Sequence, residues 1–198
     1  MKPLHIETKK VRCIPADQDP HLYEMIKTFK FYTKELKPLI TQNQNPPSHG
    51  MHGLTTHTQS VVFRGIDYAQ HMGANPIPVV FACAFHDMAR TNDGFDTEHG
   101  KHAIPNAIKI MKHFPGLLDQ DTRLSILYAI LNHTCGETAP DYISACLWDA
   151  DRTRMAWNYG FDAKFFNTER GKYVAQHCKK YLEYLRYNFP HIEWSKQY

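Results

Sequence analysis

The segment PVVFACAFHD (78–87) constrains this chain more than any other. From Pro78 to Phe85 it is apolar on every side and shows no two-residue alternation. It therefore predicts a helix buried all round, over about 78–90, rather than a strand or an amphipathic surface helix. The run then passes without a spacer into His86 and Asp87, two side chains of metal-ligand type. A carboxylate carried to the edge of a core needs a partner, because an unpaired buried charge is expensive.

The remaining chain supplies helices to surround that one. Asp19–Pro20 reads as an N-cap followed by a first-turn proline, opening a helix expected to stop before Pro38. TQNQNPPSHG (41–50) is a polar, proline-closed linker. Thr55 or Thr56 caps a helix running to Met72, with Gly73 as its stop. Asp96 caps another to about His113, which Pro105 should kink or split. Helices are expected over 122–133, ended near Gly136, and over 142–154. A last amphipathic helix carries Val174, Cys178, Tyr181, Leu182 and Leu185 on one stripe. No alternating strand pattern occurs, so the expected fold class is all-α.

Composition excludes several classes. The net charge of +3 over 198 residues is too mild and dispersed for a dedicated nucleic-acid binder. No apolar run reaches membrane-span length, and MKPLHIETKKVRC at the N-terminus lacks the apolar centre of a signal peptide, so a cytoplasmic location is expected. The five cysteines include no CxxC, which argues against a zinc ribbon or disulfide framework; Cys83 and Cys146 lie in apolar contexts and read as small core residues.

A His-Asp doublet alone is weak, since 13 histidines and 12 aspartates make roughly one such pair expected by chance. Spacing adds weight. At about 100° per residue, His57 shares a face with Leu54, Val61, Gly65, Tyr68 and Met72 and so points inward. A lone histidine there is more often a hydrogen-bonded core residue. In ISACLWDADRTR, Asp151 lies at the rim of the face of Ile143, Leu147 and Ala150, where an ion pair with Arg90 or Arg152 is the plainer reading, and Asp149 lies well away from it. Together His57, His86, Asp87 and Asp151 offer two imidazoles and two carboxylates, a set suited to Mn, Fe, Co, Ni, Zn or Mg.

The order His…His-Asp…Asp resembles the signature of the HD-domain superfamily of metal-dependent phosphohydrolases. MHGLTTHTQSV, the block from Phe81 through FHDMARTNDGFDTEHGKHA, AILNHT and CLWDADR look like the corresponding blocks of its small bacterial members, over about 49–166. This chain departs from them in the spacing HGLTTH and in Thr153–Arg154 after DADR. The resemblance implies a helical bundle around a mono- or dinuclear metal site. It implies one HD domain over 1–198, with an N-terminal extension and linker to 48, a core over 49–166 and a C-terminal helix over 167–198. The implied metal ligands are His57, His86, Asp87 and Asp151, with Asp87 also a proton acceptor. Arg90 is a candidate phosphate clamp, since its fork suits phosphate oxygens, and Asp93 is a candidate to orient a water or fix Arg90. His99 and His133 match histidines of the family blocks, which leaves a second metal, a substrate contact or a plain structural role open for them, and Lys101 and Arg152 are further candidate phosphate contacts. His52 and His102 are expected one layer behind the ligands, and Asp149 either there or in a structural hydrogen bond. For each cation a surface or salt-bridge role is an equal alternative. The implied activity is hydrolysis of a phosphomonoester or phosphodiester of a nucleotide or other small molecule. Two rivals are a di-iron oxidation on the same scaffold and a non-catalytic module stabilised by its metal.

Overall fold

The computed structural model describes residues 19–43, 57–91, 93–135 and 138–189, apart from the side chain of Cys178. Every regular element among them is helical. The first two helices are α1 (Pro20–Phe31) and α2 (Lys37–Asn43), joined by a π-helical turn over Tyr32–Leu36. Then follow α3 (His57–His71), α4 (Pro76–Phe85), α5 (His99–Met111), α6 (Gln120–Asn132), α7 (Tyr142–Tyr159), α8 (Glu169–Gln176) and α9 (Cys178–Asn188).

Asp19 caps α1 by accepting from the His21 and Leu22 amides, with Pro20 in the first turn, as expected. The helix does not stop before Pro38, however. The Lys37 amide reaches back to the Tyr32 carbonyl, and this wider π turn precedes the proline whose missing N–H would break a regular α-helix. Thr41, Gln42 and Asn43 are helical, not linker; the rest of that linker, Thr55, Thr56, His49 and His52 lie outside the described residues.

The predicted buried helix is α4. It starts earlier, with Asn75 as N-cap and Pro76 in the first turn, and ends at Phe85. Residues 86–89 form tight turns, in which the Met88 amide bonds the Phe85 carbonyl and the Arg90 amide bonds that of Asp87. Val79 to Phe85 are wholly inaccessible, enclosed by α3, α6 and α7. Pro105 does not split α5, and Glu98 rather than Asp96 stands at its N-cap. Asp119 caps α6, and α7 runs five residues past Arg154 to a stop at Gly160, whose φ is 106°. The last amphipathic helix is two pieces, α8 and α9, broken at His177.

Polar anchors fix α7 against its neighbours. Buried Arg64 of α3 donates through Nε to the Ala150 carbonyl at 2.7 Å and lies over the Trp157 ring. Tyr68 meets Thr153 at 2.8 Å, and Trp148 donates to the Ala129 carbonyl of α6 at 2.9 Å. Two glycines allow close approach: a Cβ on Gly65 would fall 2.6 Å from Cys83 Sγ, and one on Gly100 would fall 2.5 Å from the Ile130 carbonyl oxygen. These contacts set α3, α5, α6 and α7 around the end of α4, where His86 and Asp87 emerge.

Candidate metal centre

Five helical segments converge on Asp87. His57 comes from the first turn of α3, His86 and Asp87 from the end of α4, His99 from the start of α5, His133 from just past α6, and Asp151 from the middle of α7. All but Asp151 are buried, and its side chain is 24% exposed.

The Asp87 carboxylate faces two imidazole pairs. Its Oδ2 lies 3.4 Å from His57 Nε2 and 3.3 Å from His86 Nε2. Its Oδ1 lies 2.9 Å from His99 Nε2 and 4.0 Å from His133 Nε2. Asp151 closes the first group, with Oδ1 at 3.0 Å from His57 Nε2 and 3.8 Å from His86 Nε2. The ligand atoms of His57, His86 and Asp87 lie within 4.8 Å of one another, and so do those of Asp87, His99 and His133.

The backbone sets the tautomers. His86 Nδ1–H donates to the Cys83 carbonyl at 2.7 Å, His99 Nδ1–H to that of Asp96 at 2.6 Å, and His133 Nδ1–H to that of Ile130 at 2.6 Å. A carbonyl can only accept, so each ring's proton sits on Nδ1 and, in the neutral ring, Nε2 carries a lone pair. The Nε2 lone pairs of His99 and His133 face each other at 2.7 Å, and His86 Nε2 lies 3.2 Å from His57 Nε2. Facing lone pairs repel unless a cation lies between them, and the donors are the imidazole and carboxylate type that divalent transition ions take. The residues present therefore fit a metal in either group.

Titration points the same way. Burial alone would lower the His86 pKa, but Asp87 and Asp151 overcome it and raise it to about 9. Burial lowers that of His133 to about 4, helped by His86. Burial also lowers that of His57, against Asp151 and Asp87. For Asp151, burial is outweighed by the His57 hydrogen bond and by His86 and His57, which hold its carboxyl well below the usual range. The first group thus draws a positive charge to itself.

An open cleft of about 850 Å³ reaches this centre and is lined in part by His57, Asp87, His99, His133 and Asp151. Arg90, Asp93 and Arg152 also line it. Arg90 is fixed by Nη2 donating to the Gly94 carbonyl at 2.6 Å. Arg152 donates to the Phe165 carbonyl at 3.0 Å and lies over the Trp148 ring.

Two residues stand elsewhere than expected, and a third takes the second of its two expected roles. Lys101 is exposed and pairs with Glu98 at 3.3 Å, outside the cleft lining. His102 is exposed too, because the buried stripe of α5 runs through His99, Gly100, Ala103, Ala107 and Ile110. Asp149 makes structural hydrogen bonds rather than standing behind the ligands. Its carboxylate accepts from the Asn167 and Thr168 amides, Asn167 Nδ2 and the Thr168 hydroxyl, at 2.6–3.1 Å, and so holds the entry to α8. Burial pushes the Asp149 carboxyl upward against those donors.

Sequence reasoning passed over two groups. Phe95, Met155 and Tyr159 line the cleft beyond the ligands; the signal was the helical spacing of Asp151, Met155 and Tyr159. His21, Asp67 and His71 form a third set of ligand type, but Arg170 pairs with Asp67 at 2.9 Å there and makes it an ion-paired clamp of α1, α3 and α8.

No protein-family model and no curated protein sequence matches the chain. Its structure is similar to the crystal structure of a predicted HD superfamily hydrolase from an uncultured Thermotogales bacterium, at 18% identity and a TM-score of 0.53, over 87% of this chain and 92% of that one. The chain thus has the all-α fold of the HD superfamily. No described helix is long and apolar enough to cross a membrane.

Proposed function

We propose that this protein is a metal-dependent phosphohydrolase that cleaves a phosphomonoester or phosphodiester of a small molecule. The observation that carries the reading is the Asp87 carboxylate, which turns one oxygen to His57 and His86 and the other to His99 and His133 at the floor of an open cleft. His57, His86, Asp87 and Asp151 would hold one divalent ion, and Asp87, His99 and His133 a second. Such ions lower the pKa of water and polarise a phosphoryl oxygen.

The chain's own residues supply the rest. Asp87 is held by imidazoles on both oxygens, so it orients the centre before it accepts any proton. Asp93 is exposed on the cleft wall, where it would orient water. Arg90 Nε and Arg152 Nη2 are buried and have no hydrogen-bond partner among the described residues. Such donors are costly to leave unmatched, and phosphoryl oxygens would match them.

The test is metal analysis of the purified protein with phosphate release measured on a panel of phosphoesters. Bound divalent metal and turnover that both disappear in His86→Ala support the reading. Bound iron with an oxygen-dependent optical band, and no phosphate released from any ester, would favour oxidation instead. Metal without either activity would leave the centre structural.

A further inference from the structure

Three of the imidazoles, His86, His99 and His133, are oriented from behind by Nδ1–H bonds to carbonyls. Asp151 has no such support. Its carboxylate meets His57 and His86 on the cleft side, and no group among the described residues donates to it from behind. A carboxylate that ligates a metal is ordinarily held by a donor of that kind. The aim of Asp151 must therefore come from the main chain that carries it.

That main chain is held in an unusual way. In a regular helix each carbonyl accepts one amide, from four residues on. The two carbonyls before Asp151 each take a second donor. The Thr153 hydroxyl donates to the Asp149 carbonyl at 2.7 Å, and Arg64 Nε donates to the Ala150 carbonyl at 2.7 Å. The single hydroxyl proton of Thr153 is thus used, so at its 2.8 Å contact with Tyr68 the phenol is the donor. A threonine that bonds back to the carbonyl four residues earlier tends to bend the helix at that turn.

The clamps come from the helix that carries a ligand. Arg64 and Tyr68 follow His57 by seven and eleven residues, which at about 100° per residue places both within about 20° of it on α3. One face of α3 therefore supplies a ligand, a donor to the Ala150 carbonyl and a donor to Thr153, all directed at the turn of α7 over 149–153. Arg64 is a costly way to join two helices. It is 2% exposed, no carboxylate pairs with it among the described residues, and its Nη2 has no hydrogen-bond partner there. An apolar side chain of similar length would pack α3 on α7 at less cost. What the guanidinium adds is a fixed direction for the Ala150 carbonyl, and with it for the Cα of Asp151.

We propose that Arg64 and Thr153 are positioning residues of the metal centre: by holding the two peptide carbonyls before Asp151, they aim its carboxylate at His57 and His86. The proposal rests on the metal centre of the phosphohydrolase reading and is independent of the substrate.

The test is calorimetric titration of the metal-stripped full chain with Co²⁺. Arg64→Met should bind Co²⁺ about tenfold to a hundredfold more weakly than the wild type, the range for groups that support a ligand. The same substitution made in Asp151→Asn should add less than about twofold, because Arg64 acts through that carboxylate. An equal loss in both backgrounds makes Arg64 a structural residue and overturns the proposal, as does an affinity unchanged in Arg64→Met. Thr153→Val keeps the shape and removes the hydroxyl, whereas Thr153→Ser keeps it, so only the first should weaken Co²⁺ binding. Should Arg64→Met fail to fold, this pair decides: loss in the valine variant alone upholds the proposal, and equal affinities overturn it. A wild type that binds no Co²⁺ removes the centre and the proposal together. A chain that shows the expected pattern but releases no phosphate from any ester removes the hydrolase reading and leaves the proposal standing.

Discussion

Gly100→Ala should separate the two imidazole pairs. An ideal Cβ at this position lies 2.5 Å from the Ile130 carbonyl oxygen and 3.2 Å from the His133 ring. Ordinary contact between carbon atoms is about 3.5–4 Å, so α5 and α6 must part by roughly an ångström to admit the methyl. Overpacking of this kind costs about 1–3 kcal/mol. Alanine recovers less than about 1 kcal/mol over glycine in a helix interior, and less still in the first turn where Gly100 sits. The steric term wins, and the net loss should be about 1–2 kcal/mol by urea unfolding. The more specific effect concerns metal. The Ile130 carbonyl that the methyl strikes is the acceptor for His133 Nδ1–H at 2.6 Å, and His133 Nε2 is 2.7 Å from His99 Nε2. Displacing either helix by an ångström breaks that alignment. His57, His86 and Asp151 stand on α3, the end of α4 and α7, which the methyl does not touch. Metal analysis after dialysis should therefore show two equivalents in the wild type and one in the variant. A variant of unchanged stability that keeps both equivalents would refute the packing argument, and a wild type with a single equivalent would refute the assignment of the second pair.

Four further outcomes are expected. Asp151→Asn should fold normally and lose most of its metal and activity, because the amide replaces the carboxylate 3.0 Å from His57. Asp149→Asn should instead lower stability by about 2 kcal/mol and recover nothing on adding metal, since the loss is at the Asn167–Thr168 loop; metal rescue of this variant would contradict that placement. Metal affinity should rise with pH by about tenfold per unit until it levels near the His86 value of about 9, as the bound ion displaces that proton; calorimetric titrations at several pH values that give a flat profile would count against it. Asp67 is buried, but hydrogen bonds from His21 and His71 and the charge of Arg170 depress its carboxyl below the ordinary 3.8. Its stabilisation is then present above that value and lost as pH falls through the depressed folded one. Asp67→Asn should cost about 3 kcal/mol at neutral pH and lack the acid loss, read from urea midpoints at pH 3, 5 and 7.

What the sequence reveals of this site follows from where each ligand sits on its helix. His57 was legible because its apolar neighbours recur at helical spacing, and His86–Asp87 because an all-apolar helix delivers them to the core edge. His99 and His133 have no such signal. One opens α5 directly after a loop, and the other follows the last residue of α6. Their orientation comes from Nδ1 bonds to carbonyls three residues back, a matter of local backbone geometry that a hydrophobic pattern does not encode.

The DAD segment shows a different limit. Ranking Asp151 above Asp149 assumed that α7 has one buried face. In the structure α7 is packed on several sides: Ile143 through Ala150 are all buried, Asp149 wholly so, while Asp151 keeps a quarter of its side chain open to the cleft. The more buried carboxylate is the structural one, because four donor groups from Asn167 and Thr168 surround it. The partly open one faces the imidazoles, because a working ligand has to be reached from the cleft. Burial thus separates the two aspartates in the opposite sense to the apolar-face argument, and only the partners of each oxygen say which one a metal would use.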